Sequence, residues 1–112
     1  MLTKLDKKIE QRLGLSEKQI AEFCQQWGII ELSLLGSVFG DQFHVDSDID
    51  ILIRFRPNTP QGLLTLAQIK HDLENRIGRT VDIAIKQSVE NSENPIRRDQ
   101  ILKTSQVIYA QR

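Results

Sequence analysis

Asp48-Ile49-Asp50-Ile51-Leu52-Ile53 restricts the fold more than any other stretch, because its side chains sort with a period of two. Ile49, Ile51 and Ile53 fall on one face of a strand and demand a core, while Asp48 and Asp50 fall on the other. Residues two apart on a strand are spaced by about 6.6 Å. Two carboxylates at that distance repel by roughly 2.5 kcal/mol at an effective dielectric of about 20. A hard cation relieves that repulsion, since magnesium prefers carboxylate oxygens and keeps water or phosphate as its other ligands. The strand thus carries chemistry as well as structure.

The 112 residues suit one domain, residues 1–112, with a helical segment at 1–28 ahead of a sheet core at 29–112. Hydrophobic residues at 39% and charged residues at 27% exclude wholesale disorder. Fifteen Lys and Arg against fifteen Asp and Glu leave no net charge, which argues against general nucleic-acid binding. No apolar run reaches membrane-span length, and the first residues alternate in charge, so a cytoplasmic protein without membrane contact is expected. Cys24 stands alone, which removes disulfide frameworks and multi-thiolate zinc sites.

The spacing of Leu5, Ile9 and Leu13 predicts a helix over 4–13, interrupted by Gly14. A second helix opens at Ser16, which forms a capping box with Gln19. Its apolar stripe is Ile20, Phe23, Cys24 and Trp27, and Gly28 is its stop. Cys24 lies in that stripe and reads as core. Strands are predicted at 29–35, 48–54 and 80–85, with a short one at 107–109. A long amphipathic helix spans 63–77 and closes at Gly78. Residues 86–93 read as loop, and Asn94-Pro95 starts a last helix running to about Thr104. The expected fold is α/β in the α+β sense, a small mixed β-sheet with helices packed on one side.

Asp82 offers a third carboxylate, alternating with the apolar Val81 and Ile83 on a different strand. Three acids on adjacent strands suit the two ions of a phosphoryl-type transfer, on condition that those strands are neighbours. Gly36-Ser37 supplies a turn at a strand end, where glycine permits close backbone approach and a hydroxyl and amides can meet phosphate oxygens.

Gly36-Ser37, ten residues, then Asp48-Ile49-Asp50 resembles the signature of the DNA-polymerase-β-type nucleotidyltransferases, and the short length resembles their minimal (MNT) branch. The likeness runs from about Ile29 to Tyr109. It implies a nucleotidyltransferase palm in which Gly36 and Ser37 position a nucleoside triphosphate. Asp48 and Asp50 then bind metal, and Asp82 is the third catalytic acid, assisting metal binding and activating the acceptor hydroxyl. It further implies Mg2+ as cofactor, ATP as donor, and an antitoxin that transfers AMP to a tyrosine of a HEPN-type RNase toxin in a hetero-oligomer. Val38-Phe39 departs from the basic or small residues that many relatives carry after Gly-Ser.

Other readings compete with this one. A non-catalytic antitoxin would neutralise its toxin by binding alone, and a small-molecule nucleotidyltransferase would modify a free hydroxyl. An EF-hand starting at Asp46 fails, because its sixth position is Ile51 and its twelfth is Pro57. Asp46 and Ser47 read as loop residues, and His44 and His71 as isolated surface residues. Arg54, Arg56, Lys86, Arg97 and Arg98 are cationic candidates for phosphate or an acidic partner, against the ordinary reading of solvated charge.

Overall fold

The structure, a computed structural model, describes residues 7–40, 43–44, 47–59 and 62–111. Leu5 and the start of the first expected helix lie outside the described residues, as does Asp46. The first helix, α1, covers Lys7–Leu13 and buries Ile9 and Leu13. Helix α2, Glu17–Trp27, begins at the expected capping box: the Ser16 hydroxyl accepts from the Gln19 amide, and the Gln19 side chain accepts from the Ser16 amide. It ends at Gly28, whose φ of 70° is the left-handed conformation that glycine adopts without penalty.

Strand β1, Ile29–Leu34, leads into a 3-10 turn at Gly36–Phe39, and β2 follows at Ile49–Phe55. Helix α3, Leu63–Ile77, closes at Gly78 and returns the chain to β3, Val81–Ile85. Strands β2 and β3 are parallel neighbours, so β2–α3–β3 is a crossover unit. Residues 86–93 are not all loop: Lys86–Glu90 form a short helix, α4. Helix α5, Pro95–Thr104, starts at Asn94, whose side chain accepts from the Arg97 amide, and β4 occupies Gln106–Ala110.

The sheet order is β3-β2-β1-β4, with β1 antiparallel to both its neighbours. Ile49, Ile51, Ile53 and Phe55 of β2 are buried in the core with Ile20, Phe23 and Cys24 of α2 and with Ile69 and Leu73 of α3. The expected mixed sheet is present, with α1, α2 and α3 on one face, but the helices are not confined to that face. Helices α4 and α5 border the opposite, Asp50-bearing face, where Leu52 is 1% exposed and Ser33 fully buried. No helix among the described residues is long and apolar enough to cross a membrane.

Candidate active site

The condition set by the sequence is met at β2 and β3. In their parallel register Asp50 is the direct partner of Asp82. Register partners on neighbouring strands share a face and are separated by about 4.8 Å between strands. Their apolar neighbours alternate to the other side: Ile49 and Ile51 on β2, and Val81 and Ile83 on β3. The same alternation that builds the core therefore sets the two carboxylates side by side.

Both acids line a cleft of about 350 Å³. Leu52 and Ala84 of the sheet contribute to it, and Val89, Arg97, Arg98 and Ile101 bring in α4 and α5. Asp82 is exposed and Asp50 partly so. Asp48 lies one residue ahead of β2, exposed and outside the cleft lining. The Ile49 amide donates to the Thr80 carbonyl at 3.1 Å, which ties that end of the strand to the start of β3. Among the described residues no three of His, Cys, Asp and Glu are grouped for a metal ion. Asp50 and Asp82 are thus brought together at the cleft, and Asp48 is not among its lining residues.

Gly36 begins the 3-10 turn beside Asp50, since the Leu35 amide donates to the Asp50 carbonyl at 3.0 Å. A methyl group added at Gly36 would stand 3.5 Å from the Thr104 Cβ, an ordinary contact, so packing alone does not require glycine here. Ser37 belongs to the same turn; its hydroxyl lies outside what the structure describes.

The five cationic candidates divide. Arg54 pairs with Glu90 at 2.8 Å, and Lys86 pairs with Glu31. Arg56 donates to the Gln111 side-chain oxygen at 3.2 Å. These three are engaged within the fold; Arg97 and Arg98 line the cleft, with Arg98 also pairing with its neighbour Asp99 at 3.2 Å. His44 and His71 are exposed, as expected, with His71 beside Asn75 at 3.3 Å. Cys24 is fully buried, and desolvation pushes its thiol up to about 12, far from the reactive range.

Residues 16–108 match the nucleotidyltransferase domain family. A protein of Methanocaldococcus jannaschii, provisionally named a protein adenylyltransferase, is 31% identical over 77% of this chain and 86% of its own length. The protein adenylyltransferase MntA of Thermococcus cleftensis is 31% identical over 74% of this chain and 79% of its own length. A solved structure provisionally named a minimal nucleotidyltransferase superposes with a TM-score of 0.61 at 28% identity, covering 80% of this chain and 85% of the other. A toxin–antitoxin structure with AMP-PNP shares the fold, with a TM-score of 0.66 at 17% identity over 88% of this chain and 76% of that one.

Proposed function

The chain belongs to the nucleotidyltransferase domain family, and from that premise we propose that it is an antitoxin that moves AMP from ATP to a tyrosine hydroxyl of a HEPN-type toxin. The whole chain then acts as one minimal transferase domain. The observation that carries this reading is the register pairing of Asp50 with Asp82 at the lining of a cleft. Kinship with two proteins named as protein adenylyltransferases supports a protein acceptor, and the fold shared with toxin–antitoxin structures supports a toxin.

In the transfer, the acceptor oxygen bonds to the α-phosphorus of ATP, the bond between the α-phosphorus and its bridging oxygen to the β-phosphate breaks, and pyrophosphate leaves. Asp82, exposed at the cleft, is placed to take the hydroxyl proton at its carboxylate. Gly36 and Ser37 hold the triphosphate at the turn beside Asp50. Arg97 and Arg98 add positive charge across the cleft from the carboxylates, where phosphate oxygens of the donor would lie.

The donor set fits a hard divalent cation, because paired carboxylates such as Asp50 and Asp82, with Asp48 near, are the oxygen ligands magnesium takes. When bound, Mg2+ supplies charge neutralisation of the triphosphate and of the departing pyrophosphate. The protein's own part is to orient donor and acceptor, which converts an encounter of two molecules into a step within one complex.

The test incubates purified protein, the toxin partner, magnesium and α-labelled ATP, with the Asp48→Asn/Asp50→Asn double variant alongside. Label should reach the partner only with the native chain. Equal labelling by both would remove the carboxylates from the reaction. A stable complex without label from either would leave neutralisation to binding alone.

A further inference from the structure

Residues 43–44 and 47–48, described between the Gly-Ser turn and the acidic strand, belong to no helix or strand. Among the described residues of this segment the backbone bonds are single-turn ones: Val38 to Leu35 and Phe43 to Gly40, both at 3.4 Å, and Ser47 to His44 at 3.0 Å. Two arginines from outside the segment take its carbonyls. Arg12, in the last turn of α1, donates from Nη1 to the Val38 carbonyl at 2.5 Å and to the Gly40 carbonyl at 2.9 Å. Arg79, in the turn between α3 and β3, donates to the His44 carbonyl at 2.8 Å and to the Ser47 carbonyl at 3.2 Å. Both guanidinium groups also stand over the Phe43 ring, Arg12 at 5.2 Å from its centroid and Arg79 at 4.5 Å.

These contacts join the two halves of the site. Val38 belongs to the 3-10 turn that Gly36 and Ser37 open, Gly40 follows that turn directly, and Ser47 precedes Asp48 directly. Arg79 is next to Thr80, whose carbonyl accepts from Ile49, so the same turn also anchors the strand that carries Asp50. Phe43 packs partly against the core and gives the two cations a common surface. Arg12 lies ahead of residue 16, where the family match begins, so nothing in that match assigns it a role.

We propose that Arg12, acting with Phe43 and Arg79, is a positioning residue that holds the Gly-Ser turn in register with the acidic strand, and that α1 is thereby a working part of the nucleotide site. The inference rests on the proposed transfer for its functional consequence. A guanidinium suits the task because one nitrogen carries two hydrogens in a fixed plane and so spans two carbonyls. An ammonium reaches the same carbonyls without that fixed fork.

Arg12→Ala and Arg12→Lys are compared with Arg76→Ala, a surface arginine that bonds Asp72 and Gln26 and stacks on Phe23 away from the cleft. Three readouts are taken on each: affinity for a fluorescent ATP analogue, the KM for ATP against kcat in transfer, and amide exchange over residues 36–40. For Arg12→Ala the KM and the analogue Kd should rise by about tenfold, the equivalent of roughly 1.4 kcal/mol. The kcat and the KM for the toxin should stay within about twofold, since the contacts to the acceptor are untouched. Exchange over 36–40 should accelerate, and Arg12→Lys should recover part of the loss. Arg76→Ala should lower the unfolding midpoint without moving any of these.

Unchanged nucleotide affinity in Arg12→Ala overturns the proposal, and so does an equal rise in Arg76→Ala, which would mark a general effect of stability. If the native chain binds ATP but transfers nothing, the transfer reading falls while the affinity comparison still decides the clamp. If it binds no nucleotide at all, the clamp is decided by exchange, and an unaltered rate over 36–40 in Arg12→Ala overturns it.

Discussion

Asp72 of α3 accepts from the Trp27 indole at 2.9 Å and from Arg76 at 3.0 Å, joining the end of α2 to the middle of α3. Partial burial works to raise its pKa, but the Trp27 and Arg76 hydrogen bonds and the Arg76 charge outweigh it and hold the carboxyl below its ordinary value. A carboxyl depressed in the folded state stabilises the fold above its unfolded pKa, near ~3.9, and that contribution is lost as pH falls through the folded value. Asp72→Asn should therefore lower stability at pH 7 by about 1 kcal/mol, the usual net worth of a single hydrogen bond. The gap to the native chain should shrink below pH 4; urea melts across pH 3–7 read it, and a gap independent of pH would assign the effect to shape. Cys24 makes the opposite point, a titratable group that chemistry does not use. Its buried thiol, pushed up to about 12, should resist iodoacetamide in the native protein and react fully in denaturant, as intact mass will show. This residue was legible as core from the Ile20-Phe23-Cys24-Trp27 spacing alone, whereas the Trp27–Asp72 bond, 45 residues apart, left no local signal.

Elements whose ends carry their own chemistry had boundaries that could be read from sequence. Helix α2 is bracketed by Ser16 with Gln19 and by Gly28, and α5 by Asn94-Pro95; each boundary is a bond made within a few residues. Gly28 shows how much such a boundary weighs. At φ 70° an added Cβ is strained by conformation and would also meet the Thr59 side chain at 3.2 Å. Gly28→Ala should cost about 1–2 kcal/mol, the penalty for an L side chain in the left-handed region, seen as a lower urea midpoint at unchanged m-value. Helix α4 is the contrast. Its cap position is Ile85, which makes no side-chain cap bond, and Lys-Gln-Ser-Val-Glu has no apolar period, so nothing local announces a helix. It is pinned instead by ion pairs to the sheet, Lys86 to Glu31 and Glu90 to Arg54. The site followed the same rule. Asp50 and Asp82 could be named from alternation and motif, but their adjacency depended on a parallel crossover, and Arg12 and Arg79 depended on contacts 26 to 35 residues away.

At the scale of the whole molecule, one sheet serves two opposed demands. Its inner face packs Ile49, Ile51, Ile53 and Val81 into a core, and the outer face holds Asp50 in register with Asp82. Like charges placed directly opposite on neighbouring strands destabilise a sheet. That repulsion acts only on the folded chain, because unfolding separates the strands. Neutralising one acid should therefore stabilise the fold while removing activity, the trade expected where function holds charges together against stability. In EDTA, Asp82→Asn should melt above the native chain by roughly 2–4 °C, the shift that a fraction of a kcal/mol to 1 kcal/mol produces in a domain of this size. A divalent ion that binds the folded site adds stability by mass action, so magnesium should raise the native midpoint progressively with concentration. Asp82→Asn should respond less, having one carboxylate fewer to offer, and the two melting curves should converge as magnesium rises. A variant that melts below the native chain in EDTA would mean the paired acids are held by compensating contacts within the fold. Equal magnesium shifts in both proteins would place the ion's ligands somewhere other than Asp82.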